Sequence, residues 1–214
     1  MIALTLVLGA LLAAPAHFSA RVTNPWFPLT PGTRYVYAGV KDGKRARDVV
    51  RVTHLTRTID GAPCVTVRDR LYLNGRLAER TTDWYSQDAR GNVWYFGEDT
   101  AELSHGKVTS TEGTWLAGVD GARPGIYITA QPVLGRSYRQ EYYKGQAEDH
   151  FKAIALIGTA AHPQQKTVLV TQEWTPLEPG VVDHKFYARG VGTILEQTEH
   201  GGDERLELLS VTRR

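Results

Sequence analysis

Cysteine is nearly absent. The 214 residues hold one, Cys64, so no intrachain disulfide can form and the chain must be held by its core. Cys64 lies among apolar neighbours in Pro63-Cys-Val-Thr-Val67, which suits a small buried side chain better than a nucleophile. An excess of one charge is lacking too. Lys and Arg number 25 against 23 Asp and Glu, both signs are interspersed, and no basic stripe points to nucleic acid as a partner. Beyond the first twenty positions no apolar run is long enough for a transmembrane helix. There is no Walker loop, dinucleotide fingerprint, nucleophile elbow, His-Glu-x-x-His or Cys-pair zinc signature. The turn-associated histidines His54, His105, His162 and His200 share no metal-ligand spacing. Neither a cofactor nor a metal is therefore expected. Outside the N-terminus no stretch carries ten residues of helical periodicity.

What the chain does have is punctuation. Its 21 glycines and ten prolines separate short runs rich in β-branched and aromatic residues. Asp42-Gly43, Asp60-Gly61, Asn74-Gly75 and His105-Gly106 each sit between two such runs, as two-residue hairpin turns require. About a dozen short strands at intervals of roughly 8 to 12 residues predict an all-β fold, a barrel or curved antiparallel sheet. The densest stretch is Thr81 to Thr100. There Trp84-Tyr85 and Trp94-Tyr95-Phe96 flank the polar turn Asp88-Ala-Arg-Gly-Asn92, a hairpin able to carry much of the core.

Residues 1–20 read as a secretory signal. Ile2 to Ala14 is apolar but too short to span a bilayer, and Ala14-Pro15-Ala16 offers a cleavage site, with Ala20 a second point. No Lys or Arg precedes the run. Residues 21–214 then form a single β domain, secreted or held in the periplasm or cell envelope. A weak internal echo suggests two similar halves. Pro28-Leu-Thr-Pro-Gly32 with Tyr35 and Tyr37 returns as Pro132-Val-Leu-Gly135 with Tyr138, and Asp83 with Ala89-Arg-Gly91 returns as Asp183 with Ala188-Arg-Gly190.

Strand alternation selects candidate interior residues. In Val181 to Tyr187 it groups His184 with Val182 and Phe186 on an apolar face, which points His184 inward. Glu98, Glu141 and Glu173 fall within strands and, once buried, need donors or cations, or they stay protonated. Together with Trp84, Trp94, Tyr95 and Tyr143 they form a candidate lining for a small or apolar ligand. Two alternatives stand beside that reading. One is an enzyme, a hydrolase, isomerase or cyclase, pairing a carboxylate with His184. The other is an envelope interaction module that takes no small ligand.

Pro25-Trp-Phe-Pro-Leu-Thr-Pro-Gly-Thr-Arg-Tyr35, Asp83-Trp-Tyr through Gly97-Glu-Asp-Thr100, Glu173-Trp-Thr-Pro-Leu-Glu-Pro-Gly180 and Tyr187-Ala-Arg-Gly-Val-Gly192 span most of the chain. With these motifs it resembles a group of exported bacterial β-proteins of unknown function. The resemblance implies export and an all-β fold, and it assigns no catalytic residue.

Overall fold

The computed structural model describes residues 17–158 and 167–213. The proposed signal run and cleavage site at 14–16 lie outside the described residues, as does most of the loop between the late strands. Fifteen strands and no helix appear among the described residues.

The first half is a meander: β1 (Thr33–Lys41), β2 (Lys44–Ile59), β3 (Ala62–Leu73), β4 (Arg76–Gln87) and β5 (Val93–Ser104) pair in sequence. The hairpin turns are those the dipeptides call for. Both residues of Asp42-Gly43, Asp60-Gly61, Asn74-Gly75 and His105-Gly106 have positive φ, from 46° to 80°. That is the left-handed pair a two-residue turn needs to match strand twist. In the longer β4–β5 turn, Asp88 Oδ1 accepts from the amides of Arg90 and Asn92, each at 2.9 Å.

Four short strands follow: β6 (Lys107–Ser110) and β7 (Trp115–Leu116), both on β5, then β8 (Arg123–Ile128) and β9 (Ser137–Arg139). β10 (Glu141–Tyr142) comes next. The second meander is β11 (His150–Ile157), β12 (Val168–Trp174), β13 (Val182–Ala188), β14 (Gly192–His200) and β15 (Arg205–Arg213). β15 pairs with β1, joining the two meanders on one side.

The other side is closed by the strap 137–142. Its first part pairs with β11 and its second with β8. Gln140, between them, donates its backbone N–H to Asp149 O (2.7 Å) and its side-chain amide to Tyr127 O (3.2 Å). Here β8 runs so near the strap that a Cβ on Gly125 would lie 2.4 Å from the Arg139 carbonyl oxygen, so only glycine fits. The result is a nearly closed barrel, which leaves few free strand edges.

The proline-rich segment before β1 covers one mouth. Asn24, 1% exposed, donates to Gly91 O and accepts from the amides of Trp26 and Phe27. Phe27 then packs on Tyr127 and Tyr85 at centroid distances of 4.7 and 5.5 Å. Further upstream, Phe18 stands edge-on to Trp94 and Phe96 on the barrel's outer surface.

Candidate functional site

Alternation in these strands separates charge rather than polarity alone. Along β2 to β4, Asp48, Asp69, Glu79 and Asp83 fall on the inner face. Lys185 and Glu196, from β13 and β14, meet them from across the barrel. The lumen narrows to a cavity of about 160 Å³ that includes Tyr35, Tyr37, Asp48, Asp69, Asp83, Tyr85, Tyr127, Lys185 and Glu196 in its lining. A second cavity of about 130 Å³ continues toward the opposite end and shares Asp48, Asp69, Glu196 and Leu206 with the first. Glu79, Glu204 and Lys41 extend its lining.

Four tyrosines wall the larger cavity. Tyr35 and Tyr37 stack at 6.5 Å, and their hydroxyls donate to Pro28 O and Thr193 O, which aims the rings rather than the phenols at the lumen. Tyr85 and Tyr127 meet edge to face at 5.1 Å on the other wall.

The interior cations are matched. Lys185 bridges Glu173 (3.1 Å) and Glu196 (3.2 Å), and Lys41 binds Glu204 at 2.8 Å. Burial disfavours the Lys185 ammonium, yet Glu173 and Glu196 outweigh it and hold its pKa well above the ordinary value. Glu173 is fully engaged, since Thr171 Oγ1 and the Tyr187 hydroxyl donate to its other oxygen.

Asp48 is different. It is 8% exposed, and among the described residues no amide, hydroxyl or cation donates to its Oδ1. Its carboxyl neighbour is Asp69, and burial, with the adjacent Asp69 carboxyl, pushes the Asp48 pKa up to about 10. No salt bridge reaches Asp48, Asp69 or Asp83 among the described residues.

A second acid group lies in the wall. The Tyr95 hydroxyl is 2.6 Å from Asp83 Oδ1 and 3.0 Å from Glu98 Oε2. One phenol proton cannot serve both oxygens fully, so the arrangement favours a proton on one of the carboxyls. Burial pushes Glu98 up to about 7, and burial together with the Glu98 charge raises Asp83 well above the usual carboxylate range. Asp83 faces the central cavity. Glu98 borders an outer cleft of about 300 Å³ beside Trp84, Trp115 and Tyr143. Glu141, 6% exposed, is likewise raised by burial and by Asp149 and Glu98.

The eight residues singled out from sequence therefore divide. Tyr95, Glu98 and Glu141 gather near Asp83, while Glu173 belongs to the Lys185 pair. Trp84 is on the outer face under the Arg57 guanidinium (4.6 Å), bordering the outer cleft with Tyr143. Trp94 lies outside too, donating to Asp88 Oδ2 at 2.9 Å and covered by Phe18.

His184 does not point inward. It pairs with Glu199 at 3.3 Å on the outer face, because its neighbour Lys185 takes the inward position. A carboxylate–His184 pair inside the barrel therefore has no geometry. Lys185, Asp48 and Asp69 were not among the sequence candidates. The available signal was the alternation of Arg47-Asp48 and Arg68-Asp69-Arg70, which puts each acid opposite in face to its arginines.

Fold and site together define an antiparallel β-barrel with an acid-lined, tyrosine-walled interior. No protein-family model matches the chain, and no curated protein matches it. Among solved structures it is similar to a candidate lipoprotein from Parabacteroides distasonis ATCC 8503, at 11% identity and a TM-score of 0.42, over 88% of this chain and 99% of that chain.

Proposed function

We propose that this is an exported barrel protein that holds a small organic cation, an amine or quaternary ammonium, in its central cavity. Export rests on the signal-like N-terminus and on the family resemblance. Of the two cleavage points, the one after Ala16 leaves the packing of Phe18 on Trp94 and Phe96 intact.

One observation carries the ligand: Asp48, buried with an oxygen that no donor satisfies, faces a cavity walled by four tyrosines. Buried carboxylates need a cation or donors, and aromatic faces attract cations, quaternary ammonium most of all. The size fits as well. At about 160 Å³ the cavity is smaller than drug-sized sites of ~300 Å³ and above, which suits a ligand of a few heavy atoms. An apolar ligand, the broader expectation from sequence, would leave these acids desolvated and unpaired.

Calorimetric titration of the purified chain with tetramethylammonium and with choline tests the reading. Saturable heat that vanishes in Asp48→Asn supports it. Absence of heat and of thermal stabilisation at millimolar cation would rule it out.

A further inference from the structure

The acids that face inward leave an outer surface of opposite sign. On β1 to β4 the outward positions carry Arg34, Arg47, Arg51, Arg68, Arg70 and Arg80, while Asp48, Asp69, Glu79 and Asp83 line the interior. The net charge of +2 therefore conceals a radial separation, and the even mixing of signs in the sequence does not survive folding.

Register sharpens the point. Arg34 lies directly opposite Arg51, Arg51 opposite Arg68, and Arg70 opposite Arg80. Like charges directly across a ladder are destabilising. Among the described residues no salt bridge reaches any of the six. Arg34 Nε is buried without an acceptor, and burial with the charges of Arg80 and Arg68 lowers the Arg70 pKa. A self-repelling array of this kind is relieved by an external anion.

We propose that the outer face of β1–β4 docks on a phosphate-bearing lipid surface. The patch extends in two dimensions. With strands about 4.8 Å apart, Arg34, Arg51 and Arg68 form one row across the sheet, and Arg70 with Arg80 forms part of the next. A broad convex array meets a plane of headgroups, and guanidinium groups engage phosphate by paired hydrogen bonds. Between the arginine positions lie Val36 and Val49, each 6% exposed, and the aromatics of this face, Tyr72 opposite Arg47 and Trp84 under Arg57, stand singly rather than in the row on which single-stranded nucleic acid stacks. Among the described residues there is no helix to enter a duplex groove. Leu209 and Val40, 66% and 42% exposed, stand on the β15 and β1 side, where apolar tips can reach below the headgroups. This surface is independent of the cavity.

The test is sedimentation of the full folded chain with vesicles of phosphatidylcholine alone and of phosphatidylcholine mixed with phosphatidylglycerol. The expected result is binding to the mixed vesicles only, released by salt. Arg51→Gln with Arg68→Gln should weaken it roughly fivefold per arginine removed. Arg136→Gln, on the far side of the barrel, should leave it unchanged. Circular dichroism of each variant reports whether the barrel is intact, and Arg68→Lys, which keeps the charge, should retain binding if the double variant unfolds. Equal sedimentation with and without phosphatidylglycerol, or loss with Arg136→Gln as large as with the double variant, would overturn the proposal. So would binding to single-stranded DNA with none to mixed vesicles.

Discussion

Asp48 on β2 and Asp69 on β3 both line the two interior cavities, and burial beside Asp69 pushes the Asp48 pKa up to about 10, so Asp48 holds its proton at neutral pH. No basic side chain is paired with either among the described residues, although Lys185 and Glu196 line the same cavity. Lys185 is already committed to Glu173 and Glu196. The barrel thus encloses one cluster built around a cation, Lys185, and a pair of acids with no basic partner among the described residues.

The first consequence is an inverted pH profile. Glu98 and Glu196 are raised by burial to about 7 and Asp48 to about 10, all above their unfolded values. Between those values the folded state binds more protons than the unfolded state, so stability falls as pH rises. Thermal unfolding followed from pH 5 to pH 10 should show the midpoint dropping from pH 5 to neutrality, where all three groups contribute, and more gently from there to pH 10, where Asp48 alone does. Asp48→Asn, which keeps the shape and removes the ionisation, should flatten the alkaline part of the decline.

Lys185 makes the converse prediction. Replacing it with Met strands Glu173 and Glu196 in the interior, and breaking a buried pair from one side costs about 3–5 kcal/mol. Denaturant unfolding should register that loss. Glu196→Gln added to Lys185→Met should restore part of it, and a double variant no more stable than the single one would show that the pair is not coupled.

Closure of the barrel depends on a backbone contact. A methyl group at Gly125 would meet the Arg139 carbonyl oxygen at 2.4 Å and force the strap 137–142 away from β8. Gly125→Ala should cost about 1–3 kcal/mol, the range for overpacking. Hydrogen exchange should show the amide of Gln140 losing protection before those of β2 and β3.

A polar latch holds the opposite end. Asp203 accepts from the amides of Asp42 (2.8 Å) and Gly43 (2.6 Å) at the β1–β2 turn. Asp203→Ala removes both acceptors and should lower stability by about 1–2 kcal/mol. Asp203→Asn, which keeps an acceptor oxygen, should recover part of that loss.

Much of the framework could be read from the chain because it rests on local rules. Asn74-Gly75 and its three companions adopt positive φ at both positions, a preference residing in the dipeptide itself. The interior was harder to read. The rule that apolar faces point inward gave His184 the place that Lys185 occupies, because on β13 the charged side lines the interior and the apolar side faces out. Trp94 was misread for a different reason. Phe18, far upstream, covers it from the outside, and strand periodicity carries no record of a distant segment. The pairing of Asp48 with Asp69 depends on β2–β3 register, which alternation alone leaves open.

The most direct test of the central idea is the proton balance of cation binding. Titrating tetramethylammonium into the protein at neutral pH, in two buffers of different ionisation enthalpy, measures protons released per cation bound. A cation entering beside Asp48 and Asp69 should expel close to one proton and bind more tightly as pH rises, and both effects should disappear in Asp48→Asn. Binding with no proton release, or with affinity independent of pH, would contradict a cation site built on these two carboxyls.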